Sequence, residues 1–256
     1  MRVMELFSLK GRVCIVTGGS RGLGLMMAEG LAEADASVVL CARNVEKCEQ
    51  AAERLRAIGV PVLAVRCDVV NPEEVKGLID KTLARFGRID VLINNAGYAW
   101  EAPLEDVSLD KWNQTFAVNA TGTFLCCQAA GRQMISQREG KIINIVSVVG
   151  MASLDPAVSD CVPYAASKGA VAAFTRDLSR KWCKFNINVN AIAPGYFATR
   201  MSKYLIEHRG PQTMNTIPMK RLGEKEELKG VAVFLASAAA NYITGQIVAV
   251  DGGVLA

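Results

Sequence analysis

Short β-branched runs alternate with helix-length segments along the whole chain, and nothing else in the sequence narrows the fold as much. Residues 12–17, 37–41, 62–66, 89–93, 141–146, 187–192 and 247–250 read as strands. Residues 24–34, 45–58, 73–86, 112–135, 164–183 and 225–236 read as the helices between them. Strand–helix alternation of this kind builds a parallel sheet covered on both faces. The nearly unbroken apolar runs Val91-Leu92-Ile93 and Ile142-Ile143-Asn144-Ile145-Val146 suit strands buried on both sides. The reading is α/β, a doubly wound parallel sheet of about seven strands, with residues 1–256 as a single domain. Residues 198–221 interrupt the alternation. They carry Gly210, Pro211, Pro218 and mixed charge, and read as a mobile insertion that acts as a lid over a site.

Composition removes several classes of function. About half the residues are apolar, yet no stretch approaches the ~20 continuous apolar residues of a membrane span. The first dozen residues lack the apolar centre of a signal peptide. The net charge of +4 is mild and the charges are interspersed, so no nucleic-acid surface is expected. The eight cysteines form no CxxC and no cluster with His208, the one histidine, so no metal site is expected. Reduced, largely buried thiols in a cytoplasmic protein are the expectation.

Thr17-Gly18-Gly19-Ser20-Arg21-Gly22-Leu23-Gly24 follows the first strand and opens the first helix. Glycines there allow a tight turn and let backbone N–H groups approach a pyrophosphate at a helix N-terminus, as in a Rossmann-type dinucleotide fold. Folds of this kind that take NAD place an acid after the second strand to hold the ribose 2′-hydroxyl. Here that stretch reads Val39-Leu40-Cys41-Ala42-Arg43-Asn44. The acid is absent, and Arg43 with Arg21 offers charge for a 2′-phosphate, so NADP(H) is preferred over NAD(H).

Tyr164 and Lys168 stand four residues apart on one helix face. A phenol holds its proton to about pH 10, and an ammonium one turn away draws that affinity toward neutrality. Alone, such a pair describes many solvated helix faces. Here Ser147 lies upstream at the end of an apolar run and the glycine loop opens the chain.

These residues together resemble the short-chain dehydrogenase/reductase family, in its compact single-domain branch, over essentially the whole chain. Thr17–Gly24 is similar to the family's TGxxxGxG loop, Asp68 to the acid that meets the adenine, and Asn94-Asn95-Ala96-Gly97 to its NNAG signature. Asn119, Ser147, Tyr164 and Lys168 fall where the family keeps its catalytic tetrad. Pro194-Gly195-Tyr196-Phe197-Ala198-Thr199 resembles the PGxxxT stretch at the nicotinamide end, and Asp251-Gly252-Gly253 the usual close after the last strand.

The resemblance implies hydride transfer between the nicotinamide and a carbonyl or alcohol carbon. Tyr164 would be the acid–base group, Lys168 would lower its pKa and hold the ribose, Ser147 would bond the substrate oxygen, and Asn119 would hold a water in a proton relay. The implied cofactor contacts are Gly18, Ser20, Arg21, Gly22, Leu23, Gly24, Arg43, Asn44, Asp68, Val69, Asn95, Ala96, Gly97, Tyr164, Lys168, Pro194, Gly195, Phe197 and Thr199. A non-catalytic dinucleotide-binding protein is the contrasting class, and it would be expected to lose Tyr or Lys.

For the substrate, a ketone or secondary alcohol, the finer resemblances divide. Residues 217–223 and 242–245 resemble 3-oxoacyl-thioester reductases, the main reading. Residues 193–199 and 250–256 resemble gluconate 5-dehydrogenases, the alternative. Two stretches depart from the family. Phe185-Asn186 stands where carrier-protein reductases commonly have a basic residue and glycine, and the stretch between Ser147 and Tyr164 is several residues longer than usual. Tyr98, Trp100, Val149, Met151, Tyr196, Met201 and Tyr204 are candidates for an apolar pocket wall, with Arg200 as a possible carboxylate partner. Family members of this size usually form dimers that join into tetramers. Ala170, Val171, Ala173, Phe174 and Leu178, with the apolar end at Val254 and Leu255, are expected to supply a homotetramer's contacts, with a dimer as the alternative.

Overall fold

The computed structural model describes residues 2–153 and 158–256, without the side chains at 200, 201 and 203–206. Its strands are β1 (Val13–Thr17), β2 (Ser37–Ala42), β3 (Val62–Arg66), β4 (Val91–Asn94), β5 (Gly140–Ile145), β6 (Ile187–Pro194) and β7 (Ile247–Val250). They form one sheet, every pair parallel, in the order β3-β2-β1-β4-β5-β6-β7. The direction of winding reverses between β1 and β4, and beyond the strand ends at such a switch point these folds seat their ligands.

The helices are α1 (Gly22–Glu33), α2 (Val45–Arg56), α3 (Pro72–Phe86), α4 (Leu109–Phe116), α5 (Gly122–Gln137), α6 (Val162–Trp182), α7 (Arg200–Thr216) and α8 (Lys225–Ala236). Successive residues of β1 serve opposite faces of the sheet. Cys14 and Val16 pack with Met27 and Leu31 of α1, Leu55 of α2 and Leu228 and Leu235 of α8. Val13 and Ile15 pack with Val75 and Leu78 of α3, Cys126 and Met134 of α5 and Leu178 of α6. Two-sided burial explains the unbroken apolar strands of the sequence.

Local signals set the helix ends. Asn71 caps α3 by accepting from the amides of Glu73 and Glu74, Pro72 follows it, and Gly87 closes the helix at φ 76°. Asn44 caps α2 through the amide of Lys47, at 2.8 Å.

Three expectations change. The segment read as one helix over 112–135 starts earlier, because Ser108 caps α4, and a wide π-turn at Ala117–Thr121 separates α4 from α5. The insertion over 198–221 is mostly helical: Thr199 caps α7, which kinks at Arg209 (φ −129°), two residues before Pro211. Of the residues expected to face a second copy, Val171 and Leu178 are buried in the chain's own core, whereas Ala170 and Ala173 are exposed. Val254 and Leu255 are half-buried, and the Leu255 amide is held by the Asp251 carboxylate at 2.9 Å.

Candidate active site

The loop from β1 into α1 is pinned to the end of β4. Thr17 Oγ1 accepts from the amides of Asn95 and Ala96, both at 3.0 Å. Asn95 Nδ2 returns hydrogen bonds to the carbonyls of Thr17 at 2.9 Å and Gly18 at 3.2 Å. Gly18 adopts φ +63°, which favours glycine, and a Cβ on Gly24 would come within 2.5 Å of the Gly18 carbonyl oxygen. No side chain caps α1, so its first-turn amides are open to an anion. Gly22 lies under 4 Å from the Thr199 side chain by the same construction, so the glycine loop and the start of α7 face each other.

The residues expected at a nucleotide's adenosine end follow the next two strands. Ala42 ends β2, and Arg21 and Arg43 are exposed, their guanidinium groups making no hydrogen bond or ion pair with any described residue. Asn44 spends its side chain on the α2 cap. Ser20 stands beside the thiol of Cys48 on α2 and lowers its proton affinity. Asp68 is half-buried and accepts from the Val70 amide at 3.3 Å, and Val69 packs directly over Gly122 of α5. Pro194 closes β6 opposite Val250, and Gly195 approaches Asp251 too closely to carry a side chain. Phe197 is buried and bridges to Gly223. An uncapped helix start, a glycine cradle and unpaired guanidinium groups where an acid would repel phosphate make a donor set that fits NADP(H).

The residues expected to handle the proton come from three elements. Lys168 is buried on α6 and donates to the Ile145 carbonyl at 2.6 Å, with Nζ 5.7 Å from the Tyr164 ring centroid. Ser147, just past β5, stands beside the Tyr164 phenol and lowers its proton affinity. Asn119 lies inside the π-turn and is fully buried. Its Oδ1 accepts from the Tyr98 amide at 2.8 Å, and its Nδ2 donates to the Tyr98 carbonyl at 2.9 Å and to Ser167 Oγ at 2.8 Å. The turn gives Asn119 both bonding directions, a use such bulges often have. Gly97 adjoins Asn119 Oδ1 and Lys168 Nζ, so the NNAG segment, Asn119 and Lys168 meet at one place.

Burial governs the charges. It pushes the Tyr164 phenol up to about 12, against the opposing pull of Ser147, and pushes Lys168 down to about 8. The sequence suggested that Lys168 alone would bring the phenol toward neutrality. In the protein as it stands, loss of solvent dominates and the phenol stays protonated, as a proton donor must.

The expected pocket wall is partly described. Tyr98 and Trp100 flank Lys111, whose Nζ is 4.3 Å from the Trp100 ring centroid and 3.3 Å from Tyr98 Oη. Val149 and Met151 are half-buried, and the latter packs against Val146 and Val171. The side chains of Arg200, Met201 and Tyr204 lie outside the described residues, as do residues 154–157 of the long Ser147–Tyr164 connection. Four residues not singled out from sequence also stand here: Glu101, Cys161, Ser167 and Arg209. Only Ser167, inside the Tyr-to-Lys helix turn, carried any sequence signal.

Comparison with known proteins agrees over nearly the full length. A family model described as enoyl-(acyl carrier protein) reductase matches residues 18–255. A 5-keto-D-gluconate 5-reductase from Escherichia coli is 38% identical over 253 residues, covering 98% of each chain. A 3-oxoacyl-(acyl-carrier-protein) reductase from Synechocystis is 38% identical over 250 residues, covering 97% of this chain and 98% of the relative. Among solved structures, a gluconate 5-dehydrogenase from Burkholderia cenocepacia in complex with NADP and tartrate is 40% identical. It superposes with a TM-score of 0.93, covering 99% of this chain and 98% of that one.

Proposed function

The chain belongs to the short-chain dehydrogenase/reductase family, and we propose that it interconverts a ketone and a secondary alcohol with NADP(H) as its preferred cofactor. The observation that carries this reading is the Tyr164 phenol beside Ser147, with Lys168 and Asn119 fixed behind it by buried hydrogen bonds. When bound, the cofactor supplies or accepts the hydride.

The protein's own groups handle orientation and the proton. Ser147 bonds the carbonyl oxygen where negative charge develops, and Tyr164 gives that oxygen its proton in reduction and takes it back in oxidation. Charged Lys168 stabilises the resulting phenolate. Asn119 holds the π-turn and the Tyr98 backbone in place and orders water on the proton path. The relatives named for 3-oxoacyl and for gluconate chemistry both fit this constellation, so the pocket beyond Tyr164 must separate the two substrates. Residues 198–221, built around α7, serve as the lid.

NADP(H) preference rests on Ala42, Arg21 and Arg43, and a relative 40% identical was solved with NADP. Arg43→Ala is expected to weaken NADPH binding by about tenfold, the loss of one hydrogen bond to a charged group, while NADH binding stays unchanged. Calorimetric titration of both cofactors tests it. Tighter binding of NADH than NADPH by the parent protein rejects the preference.

A cytoplasmic homotetramer completes the reading. Its location is argued from unpaired thiols, seven of the eight being buried and none in a disulfide. Its assembly is argued from apolar surface: Phe124 on α5 and Val162 on α6 are exposed, as are Met219 and Tyr242. Light scattering at micromolar concentration should give four times the chain mass. A stable monomer would reject the assembly.

A further inference from the structure

Tyr196 stands directly after the Pro194-Gly195 turn. Its hydroxyl oxygen is buried and has no hydrogen-bond partner among the described residues. Buried polar atoms are nearly always paired, so an orphan beside a reaction centre points to a group that arrives with a ligand. Burial pushes this phenol up to about 12, which keeps it a donor at neutral pH.

The surroundings define what that group must be. Glu101 and Cys161 lie within electrostatic reach of the Tyr196 phenol, and Cys161 lies within reach of the Tyr164 phenol as well. Two ties hold this wall together. The Ala102 amide bonds to the Asp160 carbonyl at 3.0 Å, and Ser159 Oγ lies 3.1 Å from Cys161 Sγ. Arg209, at the kink of α7, donates to the Val158 carbonyl at 3.3 Å and pairs with Glu101 at 3.7 Å. Both members of that pair keep about a third of their side chains exposed (33% and 35%), so part of Glu101 stays accessible. Burial raises the Glu101 carboxyl and Arg209 opposes the rise; the ion pair with Arg209 is what favours its carboxylate form.

We infer that Tyr196 and Glu101 form a hydroxyl-recognising subsite, so that the ketone taken by this enzyme carries a free alcohol group away from its reacting carbonyl. A protonated phenol donates and an ionised carboxylate only accepts. One ligand atom satisfies both when it accepts from the first and donates to the second, and an alcohol oxygen does so. The alkyl chain of a 3-oxoacyl thioester offers neither bond and would leave Tyr196 unpaired. Sites built to bond a substrate hydroxyl discriminate strongly against analogues that lack it. The inference rests on the oxidoreductase reading and narrows its substrate to hydroxyketones, polyhydroxylated keto acids among them.

The test compares 5-keto-D-gluconate with acetoacetyl-CoA in steady-state NADPH oxidation by the parent protein, Tyr196→Phe and Glu101→Ala. Alongside, the NADPH complex of each is titrated calorimetrically with D-gluconate. NADPH affinity and thermal unfolding verify that the variants are folded. The parent should favour the hydroxyketone. Tyr196→Phe should raise KM for 5-keto-D-gluconate about tenfold, with kcat little changed, and weaken D-gluconate binding in step. Glu101→Ala should do the same, and neither variant should impair acetoacetyl-CoA turnover. Equal loss on both ketones, unchanged D-gluconate binding, or a parent that prefers acetoacetyl-CoA overturns the subsite. If the parent reduces neither ketone, the oxidoreductase reading fails. D-gluconate binding that Tyr196→Phe weakens would then still support the subsite, and its absence would sink both.

Discussion

Tyr164→Phe is expected to lower kcat for ketone reduction by about 10³-fold, within the range a positioned general acid contributes, while NADPH affinity is retained. Phenylalanine fills the same space on α6 and removes only the phenol oxygen beside Ser147. The glycine loop, its Asn95 tether and Lys168 are untouched, so binding and chemistry separate cleanly. A stopped-flow comparison of reduction with equilibrium titration of NADPH reads both quantities. Undiminished turnover in a verified Tyr164→Phe protein would assign the proton to another group.

Lys168→Ala should damage both quantities, with kcat down about 10²-fold and NADPH affinity down about tenfold. The ammonium supports the phenolate, and its removal leaves the Ile145 carbonyl unpaired in a buried place. The same residue predicts a pH dependence. Burial lowers the Lys168 pKa to about 8, so the charged form persists below that pH and is lost above it. For reduction, kcat/KM, which reports the free enzyme, should be level below about pH 8 and fall above it. In Lys168→Arg, whose guanidinium keeps its proton, that fall should vanish whatever the remaining activity. A profile in Lys168→Arg identical to that of the parent would remove Lys168 from the titration.

The sequence was most legible where a residue's role depends on its near neighbours. Val13 to Val16 are apolar on both faces because both faces are covered, so the strand pattern could be read directly. Asn71, Pro72 and Gly87 announce their helix ends. The glycine loop and the Tyr164–Lys168 spacing are likewise local. The π-turn at Ala117–Thr121 was not legible, since its widening is decided by what Asn119 meets, the Tyr98 backbone and Ser167. Nor was the direction of Val171 and Leu178, whose helix offers apolar residues on more than one side. The pocket's charges were hidden for a plainer reason: Glu101 and Arg209 are about a hundred residues apart and look like ordinary surface residues until α7 brings them together. Orphaned Tyr196 could be picked out as a pocket residue, but its missing partner could not.

Hydride transfer to a ketone carbon is the central claim, and isotopic tracing tests it most directly. The protein is incubated with NADPH deuterated at the transferable nicotinamide position and with 5-keto-D-gluconate or a 3-oxoacyl-CoA, and the product alcohol is analysed by mass spectrometry. The account predicts one deuterium on the new carbinol carbon with the parent protein, and its near-complete loss with Tyr164→Phe. NADPH consumed without deuterium in any alcohol product would contradict it, as would full incorporation by Tyr164→Phe.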